Sequence, residues 1–145
     1  MTINQNIDWT DPKANVTEHF TVNDCLMLHN WNRLATEADG ANFNSLIILC
    51  DKMEEVRSTL ECPINVHCTF RSQDYNKEQG IKPDDVHSMN VAMDFDCSPN
   101  LSIQDIKDKL EPLLESLNIR MELGTTSWIH LDVRAPGPSG RYFTP

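Results

Sequence analysis

Apolar residues recur along this chain with two different periods, and the switches between them divide it into elements. From Val22 the set Met27, Leu28, Trp31, Leu34 and Ala35 falls at helical spacing, behind Thr21 and Asp24, which have the form of an N-cap with an acidic residue in the first turn. The spacing predicts a helix that ends before Asp39-Gly40. A second helix is expected from about Asn44 to Leu60, with Leu46, Leu49, Cys50, Met53, Val56 and Leu60 on one stripe. Asp51, Lys52, Glu54, Glu55 and Arg57 make its solvated face. A third helix opens at Ser102 and Asp105 and buries Ile106, Leu110, Leu113, Leu114 and Leu117, with Pro112 kinking or restarting it.

Elsewhere the period is two, the mark of strands whose side chains alternate between faces. After Pro63, Ile64, Val66, Cys68 and Phe70 share an oily face and Asn65, His67, Thr69 and Arg71 the opposite one. Met93 and Phe95 oppose Ala92, Asp94 and Asp96, while Ile129, Leu131 and Val133 alternate with Trp128, His130, Asp132 and Arg134. Ile119 to Leu123 alternates as well, and Gly124-Thr-Thr-Ser127 connects it to the Trp128 strand. The polar stretch from Arg71 to Val86 has no apolar period and is read as a long loop walling a site. These elements define an α+β fold, a small mostly antiparallel sheet with helices packed on one face. Residues 1–20 form an N-terminal arm that Trp9 and Phe20 would pin down, 21–134 the domain, and 135–145 an irregular tail with Pro136, Gly137, Pro138 and Gly140.

If the three alternating strands share one sheet, Arg71, Asp94 and His130 emerge together on its non-core side. His87, seven positions before Asp94 where a polar loop passes into a strand, adds a second imidazole. Two imidazoles and a carboxylate are an ordinary protein ligand set for catalytic zinc, which keeps a fourth position open. Taken singly, each residue has a plainer reading: a structural histidine on a strand for His130, a solvated charge for Arg71, a boundary histidine for His29. Agreement of parity across three strands favours the joint reading. His67, Trp128 and Tyr75 are read as solvated or packing residues that also suit the walls of a pocket.

The chain has 145 residues, the size of one domain, and a formal net charge of -10, which disfavours binding to nucleic acid or to anionic membrane surfaces. Its five cysteines are odd in number and include no C-x-x-C pair, so they are read as reduced, mostly buried thiols and not as metal ligands. The first residues carry neither a basic n-region nor an apolar h-region, and no apolar run approaches a membrane span. Synthesis in the cytoplasm as a monomer is expected.

Thr69-Phe-Arg-Ser72 followed by Tyr75-Asn76, then His87-x6-Asp94, then Trp128-Ile-His-Leu-Asp132 resembles the M15 zinc peptidases, in particular the D-alanyl-D-alanine carboxypeptidase group of bacteria and phage lysis proteins. The resemblance runs from about Phe20 to Arg134 and extends, in fold, to the zinc-bearing hedgehog signalling domain. It implies a zinc-dependent carboxypeptidase or endopeptidase acting on the peptide stems of bacterial peptidoglycan, such as an endolysin released to the wall during lysis, or a cytosolic enzyme trimming imported wall peptides. His87, Asp94 and His130 would hold the metal, and Arg71 would bind a substrate carboxylate or steady an oxyanion. Asp85 stands where relatives often have Ser, Asn90 where they have Gly, and Ser127 where many place the catalytic acid. Glu122 and Asp132 are the two carboxylates that would replace that acid, Asp132 being equally suited to orienting an imidazole. The alternative is a non-catalytic zinc-containing binding module that has lost its general base.

Overall fold

A computed structural model describes residues 6–144 and gives the α+β architecture that the two periods imply. In chain order the elements are α1 (Val22–Leu26), β1 (Met27–Leu28), β2 (Arg33–Leu34), α2 (Phe43–Leu60), β3 (Asn65–Cys68), α3 (Gln73–Glu78), β4 (Ala92–Asp96), α4 (Ile103–Leu110), α5 (Leu114–Leu117), β5 (Arg120–Glu122), β6 (Ile129–Asp132) and β7 (Tyr142–Phe143). The main sheet has the order β3-β4-β6-β5-β7, antiparallel except for the β5–β7 pair. Met93, Phe95, Met121, Ile129 and Leu131 project from one face into a core shared with Leu46, Leu49, Cys50, Met53 and Val56 of α2 and Ile106 and Leu110 of α4. Burying each such side chain stabilises the fold by about 1.5–3 kcal/mol, and the polar partners at alternate positions are thereby fixed on the sheet's other side.

Helix α2 matches its stripe closely: Asn42 caps it by accepting a hydrogen bond from Ser45 N at 3.0 Å, and Glu61 ends it in the left-handed region. Helix α4 opens with the reciprocal Ser102–Asp105 capping box, and Pro112 lies in a 3₁₀ turn, Glu111–Leu113, before the chain restarts as α5. Among the described residues no helix is long and apolar enough to cross a membrane.

Three expectations are corrected. The helix read from Val22 to Ala35 stops at Leu26, because Met27 is extended and the chain folds into the β1–β2 hairpin around a 3₁₀ turn at His29–Trp31. The carbonyls of Cys25 and Leu26, which a longer helix would use, accept instead from Phe70 N at 3.1 Å and Ala35 N at 2.8 Å. The polar stretch after Arg71 is not one long loop: Ser72 caps α3, which buries Tyr75 and Asn76. The tail is not irregular throughout, since Tyr142 and Phe143 return as β7 beside β5. Within the N-terminal arm, the ring of Trp9 stacks on Phe43 at 4.3 Å and Phe20 is buried; residues 1–5 lie outside the described residues.

Candidate metal centre

Local structure delivers His87 to the sheet. Asp85 accepts hydrogen bonds from His87 N at 3.0 Å and from Arg71 Nη2 at 2.9 Å, opening a 3₁₀ turn at Val86–Met89. Asn90 ends that turn with φ 63°, a conformation glycine adopts freely and asparagine tolerates. Its side chain accepts from Asn42 N at 2.9 Å and donates to Gly40 O at 3.1 Å, so this asparagine also ties the turn to the start of α2. The chain then enters β4, where Asp94 is paired across the sheet with His130 of β6.

On that face two imidazole nitrogens meet one carboxylate oxygen: His87 Nε2 lies 3.2 Å and His130 Nδ1 2.7 Å from Asp94 Oδ1. The ligands of a tetrahedral zinc ion, bound at 2.0–2.1 Å, stand about 3.3 Å apart, and each imidazole nitrogen lies at about that spacing from Asp94 Oδ1. The far side of each ring fixes its tautomer. His87 Nδ1 donates to the carbonyl of Thr69 at 2.7 Å, and His130 Nε2 faces Asp132 Oδ2 at 3.4 Å, so the opposite nitrogens are the ones that donate to Asp94 and whose protons a metal ion would replace. Asp132 is itself held by a fork from Arg120, Nε to Oδ1 at 2.8 Å and Nη2 to Oδ2 at 2.7 Å. Phe143, from the tail, lies edge-on to His130 at 5.0 Å and under the Arg120 guanidinium at 4.2 Å.

The charges are mutually dependent. For Asp94, burial favours the neutral acid, but hydrogen bonds from His130 and His87 outweigh it and keep the carboxyl well below its usual range. Burial likewise opposes protonation of His87, yet Asp94 and the neighbouring Cys68 raise its pKa to about 10. His130 is raised too, against its burial, by Asp132 and Asp94. Asp132 is drawn down to about 2, against burial, chiefly by Arg120.

Glu122 ends β5 one position past Met121, so by alternation it shares the face of Arg120 and Asp132. Burial raises its pKa, and the charges of His130, Asp94, His87 and Asp85 also act on it. A cavity of about 250 Å³, lined among others by Gln104, Lys107, Gly124 and Tyr142, opens next to it. Arg71 leaves its Nε without a partner while Nη2 holds Asp85. His67 is an exposed ion-pair partner of Asp96, and Tyr75 packs edge-on against Trp31 and accepts from Asn30 N at 3.1 Å.

One residue at the cluster was expected elsewhere. Parity put Cys68 with Val66 on the core face, and the number and spacing of the cysteines argued against it as a donor. A bulge intervenes: Val66 pairs with Phe95 but Cys68 pairs with Asp94, two steps on β3 against one on β4. Cys68 thereby moves to the Asp94 face, where its Sγ, a His87 nitrogen and an Asp94 oxygen all lie within 4.8 Å of one another. Neither this nor the Arg120 fork is visible in strand periodicity, though the Arg120/Asp132 pairing of opposite charges on adjacent strands was a signal available to be read.

Helices cover one side of the small sheet, and on the other two imidazoles gather about a carboxylate, a donor set able to hold a metal ion. The Peptidase M15 family model matches residues 18–132, and the chain belongs to that family of metal-dependent peptidases. No curated protein and no solved structure gives a significant match.

Proposed function

We propose that this chain is a zinc peptidase that hydrolyses peptide-stem bonds of bacterial peptidoglycan, as a carboxypeptidase or an endopeptidase. The observation that carries the reading is the convergence of His87 Nε2 and His130 Nδ1 on Asp94 Oδ1, each ring fixed from behind by an acceptor. A mixed nitrogen and oxygen donor set suits zinc, so His87, Asp94 and His130 would hold it. When bound, zinc supplies a water acidified to a pKa of about 7 and a Lewis acid for the scissile carbonyl.

The remaining work falls to the chain's own groups. Glu122 stands next to the cluster with a carboxyl whose affinity for protons is raised, and it takes the proton released by the attacking water and returns it to the leaving amine nitrogen. Asp132 is committed to Arg120 and His130 and is fully buried, so its part is to orient the His130 ring. Arg71, paired with Asp85 through Nη2 and partly exposed, would bind a substrate carboxylate or the developing oxyanion with its remaining guanidinium N–H groups. Such a substrate lies outside the cytoplasmic membrane, so the reading includes a lysin acting after membrane breach.

The test is incubation of the zinc-loaded protein with stem peptides ending in D-alanyl-D-alanine and with cross-linked wall fragments, followed by mass spectrometry. Cleavage that a chelator abolishes and added zinc restores is the expected result. Intact peptides beside a chain carrying one equivalent of zinc would overturn the enzymatic reading and favour the non-catalytic module, in which Ser127 marks the lost base.

A further inference from the structure

His87 and Asp94 belong to two donor sets at once. With His130 they make the nitrogen and oxygen triad described above; with Cys68 they make a sulfur, nitrogen and oxygen triad whose donor atoms lie within 4.8 Å of one another. The bulge at Val66/Cys68 is what gives the second set, since an unbroken strand would have set Cys68 opposite Met93, on the core face. Its Sγ rests 3.5 Å from His87 Nδ1, the nitrogen bonded to Thr69 O, so reaching an ion on Nε2 takes a rotation of the Cys68 side chain. The other thiols are occupied away from the site: Cys25 and Cys50 touch each other at 3.3 Å, and Cys97 interacts with Cys62. Cys68 is also less buried than those four.

We propose that Cys68 is a fourth protein donor at the metal centre, its thiolate closing the coordination position that a catalytic zinc site keeps open. The inference rests on the assignment of His87, Asp94 and His130 as metal ligands. On binding, the thiol loses its proton to solvent and a sulfur–metal bond forms, so one proton is released for each ion that takes sulfur. Four protein donors are the signature of a closed site and three of an open one. With Cys68 as a fourth donor the centre would be closed, and access of a substrate carbonyl would require Cys68 to leave. A thiolate also biases the centre toward thiophilic ions such as zinc, cadmium and cobalt over magnesium or calcium.

Cobalt substitution of the full chain separates this inference from the one beneath it. The expected spectrum has visible d–d bands of a low-coordinate ion together with a near-ultraviolet thiolate-to-cobalt charge-transfer band, and Cys68→Ser removes the second while keeping the first. Visible bands without charge transfer, or a charge-transfer band that survives Cys68→Ser, overturn the role of Cys68 and leave the three-ligand centre standing. Absence of the visible bands, or their persistence in His87→Ala and His130→Ala proteins, overturns both. X-ray absorption on the zinc-loaded wild-type chain reads the same point without a variant: one sulfur scatterer at about 2.3 Å is expected, and a shell of nitrogen and oxygen alone refutes it.

Discussion

Replacing Asp132 by Asn tests whether this carboxylate orients an imidazole or takes part in proton transfer. In the folded chain it is fully buried and accepts two hydrogen bonds from Arg120, at 2.8 and 2.7 Å, while facing His130 Nε2 at 3.4 Å. Breaking a buried ion pair from one side costs about 3–5 kcal/mol. The amide retains one acceptor and Phe143 still covers the guanidinium at 4.2 Å, so the lower figure applies. With an unfolding entropy of about 2.1 cal/mol/K per residue, the 145-residue chain loses stability at about 0.3 kcal/mol/K, and a 3 kcal/mol loss lowers Tm by about 10 °C. The same change removes the acceptor that holds His130, which costs about 10–100-fold in metal affinity. Calorimetry and a zinc competition titration measure the two effects. Asp132→Leu with Arg120→Met restores stability, as apolar replacements of buried pairs do, yet leaves zinc affinity low. With zinc saturating, kcat of Asp132→Asn falls far less than the about 10²–10⁴-fold expected for a lost general base. An unchanged Tm and zinc affinity, or a base-sized loss of kcat at full metal occupancy, would refute the reasoning. The acid limb of stability follows the same pair: because the folded carboxyl is depressed to about 2, its stabilisation is complete above the unfolded value of about 3.9 and is lost as pH falls toward 2.

Other consequences are smaller in scope. Glu122→Gln lowers kcat by about 10²–10⁴-fold with zinc content unchanged, measured by single-turnover cleavage beside metal analysis; full activity would return the base to another group. Asn90→Ala leaves Asn42 N and Gly40 O unpaired at about 1 kcal/mol each and holds alanine at φ 63°, at about 1 kcal/mol more, so urea unfolding shows a loss of about 2–3 kcal/mol. Asn90→Gly keeps the backbone and loses only the bonds, so its loss is the smaller of the two. Phe143→Ala removes the ring under Arg120 and is expected to cost about 0.5–2 kcal/mol in the same assay.

Strong local signals carried much of this structure. Helix α2 was legible because its stripe, its Asn42 cap and its left-handed end agree, and β4 and β6 were legible because apolar Met93, Phe95, Ile129 and Leu131 alternate with polar residues, even though β6 is buried on both faces. Alternation of Asp94 and His130 was enough to set them on one face, and the observed register pairs them directly. What escaped was tertiary in origin. The helical spacing after Val22 is shared by a five-residue helix and a hairpin, and bonds from Phe70 N and Ala35 N decide between them. A one-residue bulge inverted the parity of Cys68, and nothing in a run of alternating residues announces where a bulge falls. Tyr142 and Phe143 are only two residues of β structure beyond a Pro/Gly-rich stretch, and they find their place by adding to the edge of β5.

Equilibrium dialysis against zinc, followed by metal analysis of the wild-type chain and of His87→Ala and His130→Ala, tests the central claim most directly. The account predicts one ion per wild-type chain and a loss of affinity in each variant larger than the about 10–100-fold seen when only a supporting residue is changed. Equal zinc content in all three proteins would contradict it.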